Sequence, residues 1–527
     1  MKSLFDTITN NIDLETSVKN ISVIDEIKYE LNFEKIINIL KTYNPNNEIE
    51  VYIKTHFSNE EIYTNNILSC NYFNNFFVST YFILGNCFTI DLPIFDIIYE
   101  NYLLLDKIPE ILINKYNKII TDKNFHLFYN YEIINRWYKT IICQPINKND
   151  YFKISKLSNR NKNLKWDKYI IIWKKFNDNC LIFKKYLRQL LQFYKPLKIK
   201  IVGCYSINKK YYEHCLESHL GIKINIDKLL KWGHEELNIL VEKMKTYIKI
   251  AIPNINTNLS YKNLIKKIKD YPSQRFKSKN ELIKFYKLII NKYEQFYIKE
   301  NKFPEFIKPN LVIFSNSKMG GGYYTSNNFY LNTYNWKEMR KFTVESLVLH
   351  ETIPGHHTQV STMLNIKYKY PILFYFQSIL NGFIEGWGLW SEKLGYDQTI
   401  WDKIGQVEYE IFRTLRIIVD INIHYYGKTP RDMLLYMKEY MILSKSEMNN
   451  EIYRYVCQPG QAVSYKVGSY IFQKIIEHEN IDNLLDTKLL TIYKKIILDG
   501  PLPLQFLIKK YKIKNLFFNM RINKFFC

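Results

Sequence analysis

Val344-Glu345-Ser346-Leu347-Val348-Leu349-His350-Glu351-Thr352-Ile353-Pro354-Gly355-His356-His357 is the stretch on which the reading of this chain turns. Its first half, with Phe342 just upstream, is an apolar run of the kind that buries a helix in a core. Its second half places three of the ten histidines within eight residues, and an acidic motif, Glu385-Gly386-Trp387, begins 35 residues after His350. A histidine with an adjacent glutamate, a later histidine and a distant carboxylate supply two nitrogen ligands, one oxygen ligand and a general base. That set leaves one position of a zinc ion for water. His350, His356 and Glu385 are the candidate ligands, and Glu351 is the candidate base.

The spacing departs from the H-E-x-x-H pattern, in which histidines four residues apart project about 40° from one another with a rise of roughly 6 Å. On an unbroken helix His356 would lie roughly 120° from His350, and His357 about 20° away but roughly 10.5 Å further along. Pro354 removes the N–H that would bond the His350 carbonyl, and Gly355 tolerates unusual backbone angles. A local bulge can then bring a later histidine back, with His356 favoured and His357 the alternative. The competing reading ends the helix at Pro354-Gly355 and makes both histidines ordinary loop residues.

Upstream, Tyr323-Tyr324 follows Gly320-Gly321-Gly322, and Phe329-Tyr330-Leu331-Asn332-Thr333 alternates as a short strand does, predicting a strand pair. An edge strand there would hold an extended peptide by backbone pairing, which makes Tyr323, Tyr324 and Asn332 candidate substrate contacts; a plain hairpin packed under the helix is the alternative. Glu345 either orients a ligand or is a solvated charge. Downstream, Glu385 and Glu392 are seven residues apart and share a helix face, with Glu392 assigned a structural role. Arg416, Asp420 and His424 recur at four-residue intervals; His424 is a candidate substrate contact, against a salt-bridge ladder tying this helix to its neighbour. Tyr453-Arg454-Tyr455 and the helix opened by Pro459-Gly460 supply groups suited to stabilising an oxyanion: Tyr465, Arg454 and Lys466 all qualify by type.

The motifs His350-Glu351-x-x-Pro354-Gly355-His356-His357-x-Gln359, Glu385-Gly386-Trp387, Arg416 through His424, Pro459-Gly460-Gln461-Ala462-x-Ser464-Tyr465-Lys466 and Gly500-Pro501-Leu502-Pro503-Leu504 resemble the domain of unknown function 885 (DUF885) family, which looks like a gluzincin branch of the metallopeptidases. The similarity runs over about residues 200 to 510. It implies a mostly helical metallopeptidase-like fold with a small sheet beside the active-site helix, one zinc ion per chain, and hydrolysis of peptide or amide bonds. Residues 1–200 are then a helical N-terminal region and 201–527 a helical catalytic region, forming one continuous body with a cleft that admits short or unfolded peptides.

The composition fits a large core: 527 residues, of which 47% are hydrophobic. The start of the chain shows no signal-peptide pattern, and the most apolar stretch, 76–94, is interrupted by Asn86, Cys87 and Asp91. Eight cysteines without C-x-x-C pairs read as reduced thiols. Together these predict a cytoplasmic chain that does not enter a membrane. The net charge of +23 invites a nucleic-acid reading, and basic segments such as 156–165 interleave with aromatics, but the charge is spread along the whole length rather than gathered in a stripe. The predicted partner is a peptide and not a nucleic acid. The competing functions are a metal-dependent amide hydrolase that does not act on peptides and an inactive basic binding protein; retention of Glu351 and every candidate ligand argues against decay.

Overall fold

A computed structural model of the chain describes residues 3–12, 33–57, 110, 113, 135, 138, 166–194, 209–256, 258–299, 308–315, 320–325, 327–365, 373, 377–479, 495–498, 500–514 and 516–517. The apolar stretch 76–94 and the basic segment 156–165 lie outside the described residues. The chain forms two compact units, Met1–Tyr211 and Tyr212–Cys527. In the first, the described elements are helices α1 (Leu4–Ile12), α2 (Phe33–Thr42), α3 (Glu48–Phe57) and α4 (Trp166–Tyr194). Glu50 ties three of these segments: its carboxylate accepts the Leu4 amide at 2.9 Å, the Asn46 amide at 2.7 Å and the Tyr43 hydroxyl at 3.1 Å.

The second unit is mostly helical, with α5 (Lys209–Leu220), α6 (Ile226–Ala251), α7 (Tyr261–Lys269) and α8 (Lys279–Lys299) preceding a three-stranded sheet. Asn225 caps α6 by accepting the Lys228 amide, and the helix buries Leu229, Trp232, Leu237, Leu240, Met244 and Ile248 on one stripe. The sheet comprises β1 (Asn310–Phe314), β2 (Gly322–Thr325) and β3 (Asn328–Asn332) in the order β1-β3-β2, with β3 parallel to β1 and antiparallel to β2. The strand carrying Phe329 and Asn332 is therefore central, and every residue of it is buried. The expected edge is β2 instead, and Asn332 is removed from the candidate substrate contacts: its side chain donates to the Gly320 carbonyl at 3.0 Å and accepts the Tyr334 amide at 3.1 Å.

The remaining helices are α9 (Val344–Glu351), α10 (His356–Asn365), α11 (Asn381–Ser391), α12 (Ile400–His424), α13 (Pro430–Met437), α14 (Lys445–Cys457), α15 (Ser464–His478) and α16 (Leu504–Lys510). A reciprocal cap between Thr399 and Asp402 starts α12, which is buried along nearly its whole length and packs against α6, α9, α14 and α15. Helices α11 and α15 approach so closely that a Cβ on Gly386 would overlap the backbone of Gly468, so only glycine fits at this crossing. α9 is buried all round, packing on Tyr286 and Tyr293 of α8 and on Phe329 and Leu331 of β3. Glu345, on its first turn, is neither a ligand partner nor solvated: it accepts Tyr293 Oη at 2.6 Å, Lys292 Nζ at 2.9 Å and Gln398 Nε2 at 2.8 Å, which anchors α9 to α8. No described helix is long and apolar enough to cross a membrane.

Glu408, on α12, is buried and accepts the Ile442 amide at 3.0 Å. Burial pushes its carboxyl up to about 7, against the pull of that amide and of Lys269. A folded-state value above the unfolded one means that the folded chain holds the proton more tightly; the associated stability is full below about pH 4.5 and is lost as pH rises through about 7. Between pH 5 and 8 the loss is on the order of 3 kcal/mol from this group. Thermal unfolding followed from pH 5 to 8 is expected to show a falling Tm in the wild type and a shallower fall in Glu408→Gln, whose Tm exceeds the wild type's at pH 8. Identical slopes would show that Glu408 does not carry this dependence.

Candidate metal centre

α9 ends at Glu351, where the Thr352 amide and hydroxyl both bond the Val348 carbonyl, at 2.8 and 2.7 Å. The next helix, α10, opens on His356. Between them the chain reverses so tightly that a Cβ on Gly355 would overlap the carbonyls of Leu349 and His350. Pro354 has no N–H to lose in the reversal, and its carbonyl accepts Trp387 Nε1 at 3.0 Å. The helix thus stops at Glu351, short of the Pro-Gly step where the competing reading ended it, yet His356 still returns: the His350 and His356 rings meet edge to face, with centroids 4.8 Å apart. The return is made by a new helix rather than by a bulge in the old one.

Glu385, from α11, completes the group. Its Oε2 lies 3.9 Å from His350 Nε2 and 3.5 Å from His356 Nε2, and the three donor atoms all fall within 4.8 Å of one another. A tetrahedral zinc ion with bonds of about 2.0–2.1 Å separates its donors by roughly 3.3 Å, so the two carboxylate–imidazole pairs must close by about 0.6 and 0.2 Å to meet that geometry. The supporting contacts also fit. His350 Nδ1 lies 2.9 Å from Glu392 Oε1, a carboxylate partner that holds Nε2 towards the other donors. Glu392 is fully buried, with Arg413 Nη2 at 3.5 Å from the same oxygen. His356 Nδ1 lies 3.4 Å from Gln359 Oε1, one turn along α10.

The electrostatics are those of a buried, densely charged site. Burial drives His350 well below its ordinary range, helped by His356 and by the positive charge of Arg413 and Arg416. Burial works in the same direction on His356, but its bond to Glu385 and the charges of Glu385 and Glu351 outweigh that and lift it to about 9. Glu385 moves the opposite way: burial raises it, while His356, the Tyr465 hydroxyl and Arg416 hold it below the usual carboxylate range. Burial and the Glu385 charge bring Glu351 up to about 7, against His356, Arg413 and the Tyr324 amide that bonds it. The Tyr465 ring stacks on the His350 ring at 6.2 Å and 17°, and burial keeps its hydroxyl protonated.

His350, Glu351, His356, Glu385 and Tyr465 are thus brought together, and other candidates are not. His357, one residue on and so about 100° further round α10, is buried with Nδ1 3.1 Å from Tyr324 Oη and is not among the converging donors. Tyr323 stacks on Tyr330 at 4.9 Å within the sheet. His424 is also withdrawn as a substrate contact: it is fully buried, its Nε2 meets the Tyr455 carbonyl at 2.9 Å, and it stacks on Tyr212. Nor does a salt-bridge ladder link Arg416, Asp420 and His424. Asp420 accepts the Tyr212 hydroxyl and the Gly460 amide, and Arg416 pairs with Glu451 on α14. Lys466 is ruled out as an oxyanion donor, because Glu410 and Glu236 hold its ammonium at 2.7 and 2.9 Å. Arg454 donates to Gln461 and Glu451 and stands 5.9 Å from the Tyr465 ring, one side chain back from the donors. Sequence reasoning missed Arg413 and gave Glu392 only a structural role. The signal for Glu392 was present in its seven-residue offset from Glu385; Arg413 lies one turn before Arg416, where no motif marks it.

A family model described as "Bacterial protein of unknown function (DUF885)" matches residues 183–510. Two solved structures, each of a protein described as a "putative lipoprotein", share the fold. The one from Colwellia psychrerythraea has a TM-score of 0.70 at 17% identity, over 94% of this chain and 92% of that one. The one from Shewanella oneidensis has 0.61 at 13%, over 93% and 92%. No curated protein matches the chain.

Gly388 stands directly over the two imidazoles: a Cβ there would lie 2.8 Å from His350 Cε1 and 3.0 Å from His356 Cε1. Gly388→Ala is expected to push the rings apart and weaken zinc binding at least tenfold by calorimetric titration. Burial pushes the Glu392 carboxyl up to about 8, against the pull of Arg413; Glu392→Gln, which retains the shape but loses the carboxyl partner of His350, is expected to cost 10- to 100-fold in the same titration. Unchanged affinity in both variants would separate these residues from any metal site.

Proposed function

The chain belongs to the DUF885 family, and we propose that it is a zinc-dependent hydrolase, a gluzincin-like metallopeptidase that cleaves short or unfolded peptides. The observation that carries this reading is the convergence of His350 Nε2, His356 Nε2 and Glu385 Oε2 within 4.8 Å, with Glu351 beside them. His350, His356 and Glu385 would hold one zinc ion, and Glu392 would fix the tautomer and orientation of His350. When bound, the ion supplies Lewis acidity, making water a better nucleophile at neutral pH and polarising the substrate carbonyl.

The remaining work falls to the side chains. Glu351 takes the proton from the attacking water and later delivers it to the leaving amine. Tyr465, whose hydroxyl stays protonated and already bonds Glu385, donates to the oxyanion that develops on the substrate carbonyl. Substrate alignment is assigned to β2. The Asn332 amide bonds the Gly321 carbonyl, so the alternation of an antiparallel pair turns the backbone groups of Gly322 and Tyr324 outward along an edge of β2, beside α9, that no strand among the described residues pairs with. The Tyr324 amide reaches Glu351, and the neighbouring carbonyls are available to an extended peptide without regard to its side chains. The reading keeps the enzyme in the cytoplasm, where eight cysteines without paired spacing stay reduced.

Elemental analysis after zinc reconstitution tests the proposal. About one zinc per chain is expected in the wild type and in His357→Ala, with loss in His350→Ala, His356→Ala and Glu385→Ala. Glu351→Gln should keep its zinc and lose peptide turnover by about 10²- to 10⁴-fold. A reconstituted wild type without zinc, or full turnover in Glu351→Gln, would remove the mechanism.

A further inference from the structure

Beside the centre, α12 and α14 bring three guanidinium groups around one phenol. The Cζ of Arg416 lies 4.2 Å from the Tyr465 ring centroid, and those of Arg413 and Arg454 each lie 5.9 Å from it. Arg413 and Arg416 are 4% and 5% exposed, so bulk water does not screen them. The nearby carboxylates are already engaged. Glu451 accepts from Arg416, Arg454 and Tyr455 at 3.1, 3.0 and 2.8 Å, and is held down to about 2: burial would raise it, but the two arginines outweigh burial. Glu392 is shared between His350 and Arg413, and Glu385 faces the two ligand imidazoles. The guanidinium donors are nevertheless not used up: Nε and Nη1 of Arg413 and Nη1 of Arg416 are buried without a hydrogen-bond acceptor among the described residues.

Buried guanidinium donors without acceptors are costly, and the cost is recovered when an anion of matching shape enters. A carboxylate accepts strong charge-assisted bonds from such N–H groups; because Nη2 of Arg413 and of Arg416 already meets Glu392 and Glu451, the match is to single N–H groups of two arginines rather than to the fork of one. Arg416 and His350 both pack on the Tyr465 ring, and Arg413 meets the same Glu392 oxygen as His350, so the spare donors stand about one side chain from the ligands, within the reach of one or two residues of extended peptide at ~3.5 Å each. Resting on the hydrolase reading above, we propose that Arg413 and Arg416 form a carboxylate-binding subsite for the free α-carboxylate of a peptide, so that the enzyme removes one or two residues from the C-terminal end. Arg454, a quarter exposed, shares the Glu451 carboxylate with Arg416.

The test uses the zinc-loaded wild type and pairs of peptides identical except for a free or amidated C-terminus, with products read by mass spectrometry. The free acids are expected to be shortened from their C-terminal ends with kcat/KM at least ~100-fold above the amides. In parallel, calorimetry on Glu351→Gln measures binding of N-acetylglycine against N-acetylglycinamide; the acid should bind, the amide should not, and a second substitution, Arg416→Gln, should abolish the difference. Equal cleavage of acids and amides, internal cleavage, or cleavage of an amidated peptide that depends on a terminal glutamate side chain would overturn the subsite while leaving the hydrolase intact. Binding of the acid by Arg416-containing protein with no cleavage of any peptide would uphold the subsite and overturn the hydrolase reading instead. The acid-to-amide comparison on the wild type needs no variant to fold.

Discussion

The reversal of the chain between His350 and His356 is the constraint on which the centre depends. An α-helix cannot present residues six apart to one point, so the backbone must leave the helix, turn and begin another within five residues. That requires a proline that gives up no hydrogen bond, a glycine that passes against the carbonyls of the preceding turn, and a helix start at the second histidine. The indole of Trp387 clasps the turn from α11, the helix that also carries Glu385. The third donor is thereby positioned by the same contact that fixes the relation of the first two.

Small residues extend this control outward. Glycines at 386 and 468 allow α11 and α15 to approach to backbone contact, and Gly388 leaves room for both imidazoles. Since α11 carries Glu385 and α15 carries Tyr465, the crossing sets how far the carboxylate stands from the phenol that bonds it. Beneath them, α12 supplies charge: Arg413 to Glu392, Arg416 to Glu451, Glu410 to Lys466. A helix so thoroughly buried carries those groups only because each has a partner or a ligand to meet.

Much of this was legible in the chain. The convergence of His350, His356 and Glu385, with Glu351 beside them, could be anticipated because few residue types carry atoms able to ligate a metal. The helical body followed from apolar periodicity and the DUF885 motifs. The strand order did not, because local alternation in Phe329-Tyr330-Leu331-Asn332 is equally consistent with an edge and a centre; only the parallel pairing with Asn310–Phe314 decides it. The evenly spaced Arg416, Asp420 and His424 misled for a related reason. Four-residue spacing says that side chains share a face, but α14, α5 and the Gly460 turn determine what each one meets. Glu392 was placed on the right face and given too small a role, since its value lies in contact with a histidine 42 residues away.

The clasp on the turn has an optical consequence. Trp387 and Trp390 are buried side by side, with ring centroids 5.8 Å apart, on the helix that carries Glu385, and the N–H of one of them ends on the backbone between the two histidines. Indole emission depends on the polarity around the ring and on the bond its N–H makes. The protein therefore contains a native fluorophore joined to the turn between the two histidines, and any event that loosens that turn writes itself into the colour and intensity of tryptophan light without a label being attached.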